Sequence, residues 1–415
     1  MKGSMEAIAS RRLFLRFLAG SPLLAYLDLP AFATALLGES EEQGPEGLSE
    51  ELIAAPNEAI SVFDFEPVAR KNLPPAHYGY LATGVDADAT LRANREGFSK
   101  FQIRPRRLVN VSKIDMSTEL FGVKWETPIV LAPAGSQGAF HPDGELATAR
   151  AAQSKQHLQI LSTVTSTSVE EVTAARGAPV WYQLYPTSSW NVTQALLRRA
   201  ESAGCPVVVL TVDLPLGGNR ETLRRFIKKD TRDCSLCHSQ EGGPVSIQSK
   251  PMFEGLDLTG ADDITVAGMT WDFTRRLRDA TRMKLVLKGI VTREDARLCL
   301  KHEVDGIIVS NHGGRAEESG RSTIECLPEV LAAVGGRIPV LIDSGFRRGT
   351  DLLKALALGA RGICIGRPYL WGLAAFGQAG VETVLDILRG ELELAMQTAG
   401  APSIDSLTPA FIQRS

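Results

Sequence analysis

The chain has few cysteines and almost no excess of charge of either sign. Six cysteines in 415 residues are too few for a fold held together by disulfides. Lysine and arginine number 45 against 48 aspartates and glutamates, a net charge of −3, which argues against a nucleic-acid-binding surface because such surfaces are usually basic. Hydrophobic residues make up 44% and charged residues 22%, which excludes disorder, collagen and a protein that spans a membrane many times.

The first 33 residues have the features of an export signal. The pair Arg11 and Arg12 precedes an uncharged stretch over 17–27, and small residues suited to cleavage follow at 30–33. This order is typical of a twin-arginine signal peptide, and the alternative is a surface amphipathic helix with a chance arginine pair. We therefore expect a bacterial protein that is exported folded to the periplasm.

The length alone suggests two or three domains at about 150 residues each. The sequence divides differently, into the signal over 1–33, an acidic and Gly/Ser-rich linker over 34–60, and a single domain over 61–415. A single α/β barrel accounts for most of such a chain.

Eight short apolar runs recur between amphipathic helical patterns, after a helical-looking segment over 63–80. They lie at 129–131, 158–161, 180–184, 207–212, 284–287, 306–309, 339–342 and 362–365. Apolar strands that alternate with helices indicate a parallel sheet buried on both faces. Eight such units favour an α/β fold of the closed TIM (β/α)8 type over an open doubly wound sheet. The connection over about 214–268 shows no sustained period, and its length predicts a lid over the barrel mouth.

Each predicted strand ends in polar or glycine-rich residues, and barrel enzymes hold their chemistry at these ends. In chain order the ends carry Ala132, Pro133, Ala134 and Gly135; Ser162; Gln183 and Tyr185; Thr211 and Asp213; Lys288; Ser310 to Arg315; Asp343 and Gly345; and Gly366 and Arg367. Eight such endings in the same position predict a site that spans the whole mouth.

The last two endings have the chemistry of a phosphate site. Gly345 and Gly366 let backbone amides approach an anion closely, and Arg347 and Arg367 add charge-assisted hydrogen bonds. The alternative is that the glycines serve turns and the arginines are solvated.

His312 is the strongest candidate for a proton acceptor. An imidazole at a strand end suits proton abstraction, and a carboxylate such as Asp213 would orient it and stabilise its charged form. Arg315 is suited to bind a substrate carboxylate through two hydrogen bonds. Lys288 would form a Schiff base, stabilise an anion or serve only as an ion-pair partner.

Over about 63–412 the sequence resembles the FMN-dependent L-2-hydroxy-acid oxidases and dehydrogenases. This family includes glycolate oxidase, lactate oxidase, mandelate dehydrogenase and flavocytochrome-type lactate dehydrogenases. The motifs that carry the resemblance are Ser310-Asn311-His312-Gly313-Gly314-Arg315, Leu287-Lys288-Gly289-Ile290, Gln183-Leu184-Tyr185, Leu210-Thr211-Val212-Asp213, Arg347-Arg348-Gly349-Thr350-Asp351 and Ile365-Gly366-Arg367-Pro368.

The resemblance implies a role for each site residue. It makes His312 the base, Asp213 its partner and Tyr185 a neighbour of the reacting carbon. The residues that it implies for the substrate carboxylate are Tyr80, Arg315 and Arg220. Those that it implies for FMN are Ala132, Pro133, Ala134, Gly135, Ser162, Gln183, Thr211, Lys288, Ser310, Asp343, Gly345, Arg347, Gly366 and Arg367.

The implied reaction is oxidation of an L-2-hydroxy acid, lactate-like or larger, to the 2-oxo acid. Electrons then pass to oxygen or, as Gly135 in place of the family's frequent alanine favours, to a quinone or cytochrome. A homotetramer is also implied. A flavin-barrel isomerase or a non-catalytic periplasmic binding protein are the alternatives.

Three positions depart from the family pattern. Val164 replaces a residue that is often aromatic in glycolate-using relatives, which is consistent with a larger substrate side chain. The family's Arg-Gln-Leu-Asp after the histidine motif is Arg315-Ala316-Glu317-Glu318 in this chain. Where the family commonly has Gly-Arg-Arg or Gly-x-Arg, the chain has Gly217-Gly218-Asn219-Arg220.

The predicted lid contains Cys234, Cys237 and His238 in the C-x-x-C-H pattern of covalent c-type haem attachment. A short-range disulfide or free thiols, and a metal site with three ligands, are the alternatives. The other cysteines lie in or beside predicted helices and strands and are expected to be buried thiols.

Overall fold

The structure is a computed structural model that describes residues 52–232, 247–261, 264 and 266–415. Short helices and strands precede the barrel. They are α1 (Phe65–Asn72), α2 (Pro75–Ala82), α3 (Ala89–Glu96), β1 (Phe101–Ile103), β2 (Thr118–Leu120) and β3 (Val123–Trp125). The helical character expected over 63–80 is confirmed, but the segment forms two helices, with an interruption between α1 and α2. The cause is Pro74 and Pro75, since a proline restricts the backbone of the residue before it to extended conformations.

Eight parallel strands then close into a barrel. They are β4 (Ile129–Leu131), β5 (Leu158–Ser162), β6 (Trp181–Leu184), β7 (Val207–Thr211), β8 (Lys284–Lys288), β9 (Gly306–Val309), β10 (Val340–Asp343) and β11 (Gly362–Ile365). Neighbours in sequence are neighbours in the barrel, and β11 pairs with β4. The predicted TIM (β/α)8 fold is therefore confirmed, and each strand overlaps its predicted run.

Helices surround the barrel. They are α4 (Gly144–Ser154), α5 (Val169–Arg176), α6 (Trp190–Ser202), α7 (Glu221–Ile227), α8 (Trp271–Asp279), α9 (Arg293–Lys301), α10 (Thr323–Val334), α11 (Gly349–Leu358) and α12 (Arg367–Ala399). The last helix is interrupted at Phe376 and Gly377, whose backbone angles are not helical. The chain ends with β12 (Ile412–Arg414), which is antiparallel to β1. In the described part of the chain, no helix combines the length and apolar character needed to cross a bilayer.

Local sequence signals explain where two of these helices begin. At the start of α5, the Ser168 side chain accepts a hydrogen bond from the Glu171 amide, and the Glu171 carboxylate accepts one from the Ser168 amide. Thr292 caps α9 by accepting from the Asp295 amide. Such caps satisfy amides that would otherwise have no partner in the first helical turn.

The predicted lid is more regular than its sequence suggests. Within 214–268 the structure has α7 and short 3-10 turns at Ile247–Ser249 and Pro251–Phe253. The expectation of an irregular connection is therefore wrong over α7, a seven-residue helix in which Leu223 is the one buried residue. The lid also contacts the barrel mouth, because the buried Lys250 Nζ donates to Ser136 Oγ at 2.7 Å, just beyond β4.

The compact unit begins at Leu52, before the predicted boundary at residue 61. Ile53 and Ala59 pack against the core, so part of the predicted linker belongs to the folded domain. The physical reason is that isolated apolar side chains in an otherwise polar stretch still bury surface when a groove is available. The segment predicted as a signal, 1–33, lies outside the described residues.

The hydrophobic core has two layers, and the carboxyl-terminal end of the barrel beyond them is open. Large aliphatic side chains between strands and helices form the outer layer, and a smaller cluster fills the barrel interior. At the amino-terminal end the hairpin of β2 and β3 covers this interior, and Phe121 lies 5.4 Å from Trp181 between ring centroids. The carboxyl-terminal end, where the strands finish in polar residues, holds the cavity.

Candidate active site

A cavity lies at the carboxyl ends of the strands. This end of a barrel is where such folds bind small molecules. The predicted residues that line it are Tyr80, Ala132, Pro133, Ala134, Gly135, Ser162, Tyr185, Lys288, His312, Arg315, Asp343, Gly345, Arg347, Gly366 and Arg367. The other predicted residues lie against these, so the structure brings together all the proposed site residues that it describes.

His312 is held between a carboxylate and a phenol. Its Nδ1 lies 2.9 Å from Asp213 Oδ1, and its Nε2 lies 3.3 Å from the Tyr185 hydroxyl. Burial lowers the pKa of His312, and Asp213 opposes this effect. Burial alone would raise the pKa of Asp213, but Lys288 and His312 outweigh it and keep the pKa below its usual value. The arrangement therefore gives a neutral imidazole beside an ionised carboxylate, as proton abstraction requires.

His312 also has an uncommon backbone conformation. Its φ is +58°, in the left-handed region, and its amide donates to Ser310 Oγ at 3.0 Å. The next amide, that of Gly313, donates to Ser344 Oγ at 2.9 Å. Left-handed non-glycine residues persist where their surroundings hold them, and they concentrate at functional sites. The loop after β9 is fixed in this way with the imidazole at the mouth.

Lys288 is a buried cation at the centre of the site. Its Nζ donates to Ser310 Oγ at 2.8 Å, and it lies 3.4 Å from Asp343 Oδ2 and 3.9 Å from Asp213 Oδ2. Burial alone would lower the pKa of Lys288, but Asp343 and Asp213 raise it. The lysine therefore stays protonated, which makes it an electrostatic partner for an anion and a poor nucleophile for a Schiff base.

Two arginines lie over one tyrosine ring at the mouth. The guanidinium carbons of Arg315 and Arg220 are 4.3 Å and 5.5 Å from the centroid of Tyr80. Burial alone would raise the pKa of the Tyr80 hydroxyl, but these two arginines lower it. A hydroxyl beside two cations is suited to bind a carboxylate.

The predicted phosphate end lies where β10 and β11 finish. The guanidinium of Arg347 stacks over Trp371 at 4.6 Å, and Nη1 donates to the Phe346 carbonyl at 2.8 Å. A Cβ placed on Gly366 would meet no atom within 4 Å, so the start of α12 has room for a group at its amides. A helix start with free amides and arginines nearby is a common phosphate-binding arrangement.

Buried polar atoms in the mouth fit a bound flavin. Within the described chain, Gln183 Nε2, Thr211 Oγ1 and Arg315 Nη2 are buried and have no hydrogen-bond partner. Buried polar groups are normally satisfied, so such atoms in a cavity point to a ligand. Gln183 and Thr211, together with the buried Lys288, match the polar edge of an isoalloxazine ring, and Arg315 Nη2 remains for the substrate carboxylate. The site therefore fits FMN.

Comparison with known proteins identifies the family. The family described as FMN-dependent dehydrogenase matches residues 69–414. The chain belongs to the FMN-dependent dehydrogenases. It is therefore an oxidoreductase that uses FMN, as the sequence predicts. This FMN-dependent dehydrogenase is 42% identical over 369 residues to glycolate oxidase 1 of Oryza sativa subsp. indica, an alignment that covers 86% of this chain and 96% of the rice protein.

Further relatives confirm the resemblance to 2-hydroxy-acid oxidases and dehydrogenases. A peroxisomal (S)-2-hydroxyacid oxidase of Arabidopsis thaliana is 40% identical over 354 residues, with 85% of this chain and 96% of that protein covered. The crystal structure of a soluble mutant of the membrane-associated (S)-mandelate dehydrogenase from Pseudomonas putida has a TM-score of 0.77 at 35% identity and covers 86% of this chain and 99% of its own. A mandelate oxidase with (S)-2-phenylpropionate has a TM-score of 0.74 at 36% identity, with 86% and 98% covered.

Some site features were not predicted from the sequence. Leu81, Ser344, Phe346, Cys364 and Leu370 also line the cavity. Their proximity to predicted strand ends was an available signal for most of them. Asn94 had none, yet it exchanges amide hydrogen bonds of 2.9 Å with Asn311 and so fixes the histidine loop from outside the barrel. The cysteine motif of Cys234, Cys237 and His238 lies outside the described residues.

Proposed function

We propose that the enzyme oxidises an (S)-2-hydroxy acid, lactate-like or larger, to the 2-oxo acid, with His312 as the base. The observation that carries this proposal is that one cavity holds both the pair of His312 with Asp213, at 2.9 Å, and the group of Arg220, Arg315 and Tyr80. The arginine and tyrosine group is suited to bind a carboxylate, and the histidine pair is suited to accept a proton. A 2-hydroxy acid carries both on adjacent carbons.

In this proposal the protein's own residues bind, orient and deprotonate the substrate. Arg315 and Arg220 bind the carboxylate and Tyr80 adds a hydrogen bond, which fixes the hydroxyl-bearing carbon near His312 Nε2. His312 accepts the proton, and Asp213 stabilises the imidazolium that forms. A bound FMN would supply the acceptor for the two electrons and the second proton that the substrate loses as the 2-oxo acid forms. Lys288, with a protonated amine at the cofactor side, stabilises the negative charge that this transfer brings.

The shape of the wall supports a substrate larger than glycolate. Val164 and Gly135 line the cavity. A valine and a glycine leave space that a large aromatic side chain would take. A branched or aromatic side chain on the substrate is therefore accommodated, and the (S)-mandelate dehydrogenases among the solved relatives act on such an acid by their name.

For the oxidative half-reaction we propose a quinone or cytochrome acceptor in preference to oxygen. Gly135 in place of alanine supports this direction through the family resemblance. The measurement is the rate of substrate oxidation with oxygen alone, compared with the rate when a soluble quinone or cytochrome c is added. Oxygen turnover that equals the quinone-supported rate would contradict the proposal.

The test of the main proposal is spectral. The purified holoenzyme is mixed without oxygen with a panel of (S)-2-hydroxy acids that have short, branched and aromatic side chains. We expect bleaching of the flavin absorbance and formation of one equivalent of 2-oxo acid. If no acid of the panel bleaches the flavin, a flavin-barrel isomerase or a non-catalytic binding protein becomes the better interpretation.

We also propose periplasmic export, a homotetramer and one of three states for the cysteine motif. Cell fractionation of the wild type against a variant with Arg11→Lys and Arg12→Lys tests export, and light scattering of the purified protein tests the tetramer.

For the cysteine motif, denatured protein is scanned for a Soret band. Its presence identifies covalent haem attached at Cys234 and Cys237, whereas thiol titration and metal analysis separate a disulfide from a metal site.

A further inference from the structure

Three segments that are distant in sequence meet beside the proposed carboxylate ligands. They are the turn and helix start over 84–89, the connection over 217–222 and the segment over 314–318, and we call their meeting point the clamp junction. Arg220 and Arg315 belong to it, and Tyr80 precedes it at the end of α2. The junction therefore lies directly behind the residues proposed to bind the substrate.

The backbones of the three segments are in direct contact. The Val85 amide donates to the Gly314 carbonyl at 3.0 Å, and the Asp86 amide donates to the Asn219 carbonyl at 2.8 Å. A Cβ on Gly218 would lie 2.4 Å from Val85 Cγ1 and 2.6 Å from the Arg315 carbonyl oxygen. No side chain fits between these chains, so a shift of one segment is passed to the others.

Thr222 connects two of the segments, because its Oγ1 donates to Asp88 Oδ2 at 3.1 Å, and Asn219 and Glu318 add two further side-chain connections. Asn219 Nδ2 donates to Asp86 Oδ1 at 2.6 Å. Glu318 accepts from the Ala87 amide through Oε1 and from the Ala89 amide through Oε2, both at 3.1 Å. Because Ala89 is the first residue of α3, the Glu318 carboxylate also lies at the positive end of that helix. All three connections involve a charged acceptor, which makes them stronger than neutral hydrogen bonds.

The turn that receives these hydrogen bonds is strained. Asp86 has a φ of +47° and Asp88 a φ of +60°, in the left-handed region that residues with a Cβ rarely adopt. Such a conformation needs support from its surroundings. Part comes from within, since Asp88 Oδ1 accepts from the Gly84 amide at 2.6 Å, and Asn219 and Glu318 supply support from the other two segments.

We propose that Asn219 and Glu318 are positioning residues that fix Arg220 and Arg315 at the spacing one substrate carboxylate requires. Asn219 directly precedes Arg220 in the sequence, and Glu318 is three residues after Arg315. Two guanidinium groups repel each other until an anion lies between them, so a rigid junction lowers the cost of holding them close before substrate binds. Asn219 and Glu318 are also in the two stretches where this sequence departs from the family pattern. The inference rests on the proposed function, since it takes the arginines as carboxylate ligands.

A reciprocal exchange of the Asn219 and Asp86 pair tests the proposal. Asn219→Asp places two carboxylates at hydrogen-bond distance, and adding Asp86→Asn restores a donor and an acceptor with the roles reversed. The probe is oxalate, titrated into the holoenzyme and followed by the change in flavin absorbance. We expect the Kd to rise about tenfold in Asn219→Asp, or about 1.4 kcal/mol, and to return to within about twofold of wild type in the double variant.

Glu318 is tested with the same probe. Glu318→Ala removes both acceptors and should raise the oxalate Kd by about tenfold, whereas Glu318→Gln keeps one acceptor and should have a smaller effect. The matched control is Glu96→Gln, a change at an exposed carboxylate at the other end of α3. All variants should keep FMN, because none of these residues lines the cofactor cavity.

Hydrogen exchange provides a measurement that does not depend on a carboxylate ligand. Amides over 84–89 should exchange faster in Asn219→Asp and Glu318→Ala, with protection restored in the double variant. If the exchange rates over 84–89 do not change in these variants, the two side chains do not hold the clamp junction together. If exchange is faster but the oxalate Kd does not change, the junction does not position the arginines. A wild-type holoenzyme that neither binds oxalate nor oxidises any acid of the panel contradicts the proposed function and this inference with it. The exchange data would still distinguish a failed junction from a failed substrate assignment.

Discussion

The cofactor side and the substrate side of the cavity are built in different ways. The residues implied for the cofactor come from the carboxyl ends of all eight strands, with Arg347 and Arg367 a few residues beyond β10 and β11. The substrate side combines Tyr80, Arg220 and Arg315 from three segments that only the folded chain brings together. The barrel itself therefore fixes the cofactor side, whereas contacts outside the strands fix the substrate side. A change on one side should leave the other side working.

The largest expected effect comes from the base. Replacing His312 by glutamine should slow flavin bleaching by about 10⁴-fold, since general base catalysis contributes up to that amount. FMN should stay bound, because the FMN contacts implied by the resemblance come from other residues. The measurement is the rate of anaerobic bleaching at saturating substrate together with the flavin-to-protein absorbance ratio.

The control is His302→Gln, a change at a histidine that stacks on Trp271 away from the mouth. This variant should bleach at the wild-type rate. Loss of FMN from the His312 variant would mean that this residue contributes to cofactor binding. The cofactor side and the substrate side would then not be separable.

The next effect is a slower reaction with a displaced pH profile. Asp213→Asn removes the charge that stabilises the imidazolium and should slow bleaching by about 10²-fold. In the wild type, burial lowers the pKa of His312 and Asp213 opposes this shift. The rate should therefore be full above that pKa and fall as the pH drops through it. Without the aspartate the pKa falls further, so the acidic limb should move to lower pH.

The measurement is the second-order rate constant of flavin bleaching at low substrate concentration, taken between about pH 4.5 and 8. The FMN content is recorded at each pH. An acidic limb that stays in place or moves to higher pH would show that Asp213 does not control the protonation of His312. A loss of FMN below the limb would assign the pH effect to the cofactor side instead.

Arg367 tests whether the two sides are separate at all. Its Nε, Nη1 and Nη2 donate to the carbonyls of Leu81, Gly313 and Thr83 at 2.5, 3.0 and 3.1 Å, so it joins the cofactor side to the end of α2. Arg347→Met should weaken FMN binding by about 10 to 100-fold, the range for a lost hydrogen bond to a charged group. Arg367→Met should weaken FMN binding to the same extent and also weaken oxalate binding.

Dialysis against rising FMN concentrations measures the Kd of FMN. The oxalate titration then measures the Kd of oxalate in protein saturated with FMN. Arg361→Met is the control, because Arg361 lies on the other side of the molecule in an exposed pair with Asp405 at 3.1 Å. If Arg367→Met leaves oxalate binding unchanged, the contacts to α2 do not matter for the substrate and the two sides are fully separate.

The same division explains what the sequence could predict. The eight strands and the polar residues at their ends follow from periodicity within a few residues, and the phosphate end of the cofactor side was predicted in this way. Tyr80 and Arg220 were found only through the family resemblance, because nothing local distinguishes a tyrosine at a helix end or an arginine in a long connection. Asn94 and Glu318 were missed as site residues, since their partners lie in other segments and become neighbours only after folding. Helix α7 was missed because it is short and buries little apolar surface.

The smallest expected effect lies in the wall between the two sides. A Cβ on Gly135 would lie 2.4 Å from Val164 Cγ2 and 3.1 Å from the Val164 carbonyl oxygen. Gly135→Ala should therefore cost about 1 to 3 kcal/mol, as overpacking does, and lower the Tm by about 1 to 4 °C. Val164→Ala removes the Cγ2 atom that the new Cβ would meet. In that background Gly135→Ala should therefore reduce the stability clearly less. The four proteins of this cycle are compared by thermal unfolding with FMN in excess. Equal costs in both backgrounds would mean that Gly135 is set by the cofactor rather than by Val164, and the wall would belong to the cofactor side alone.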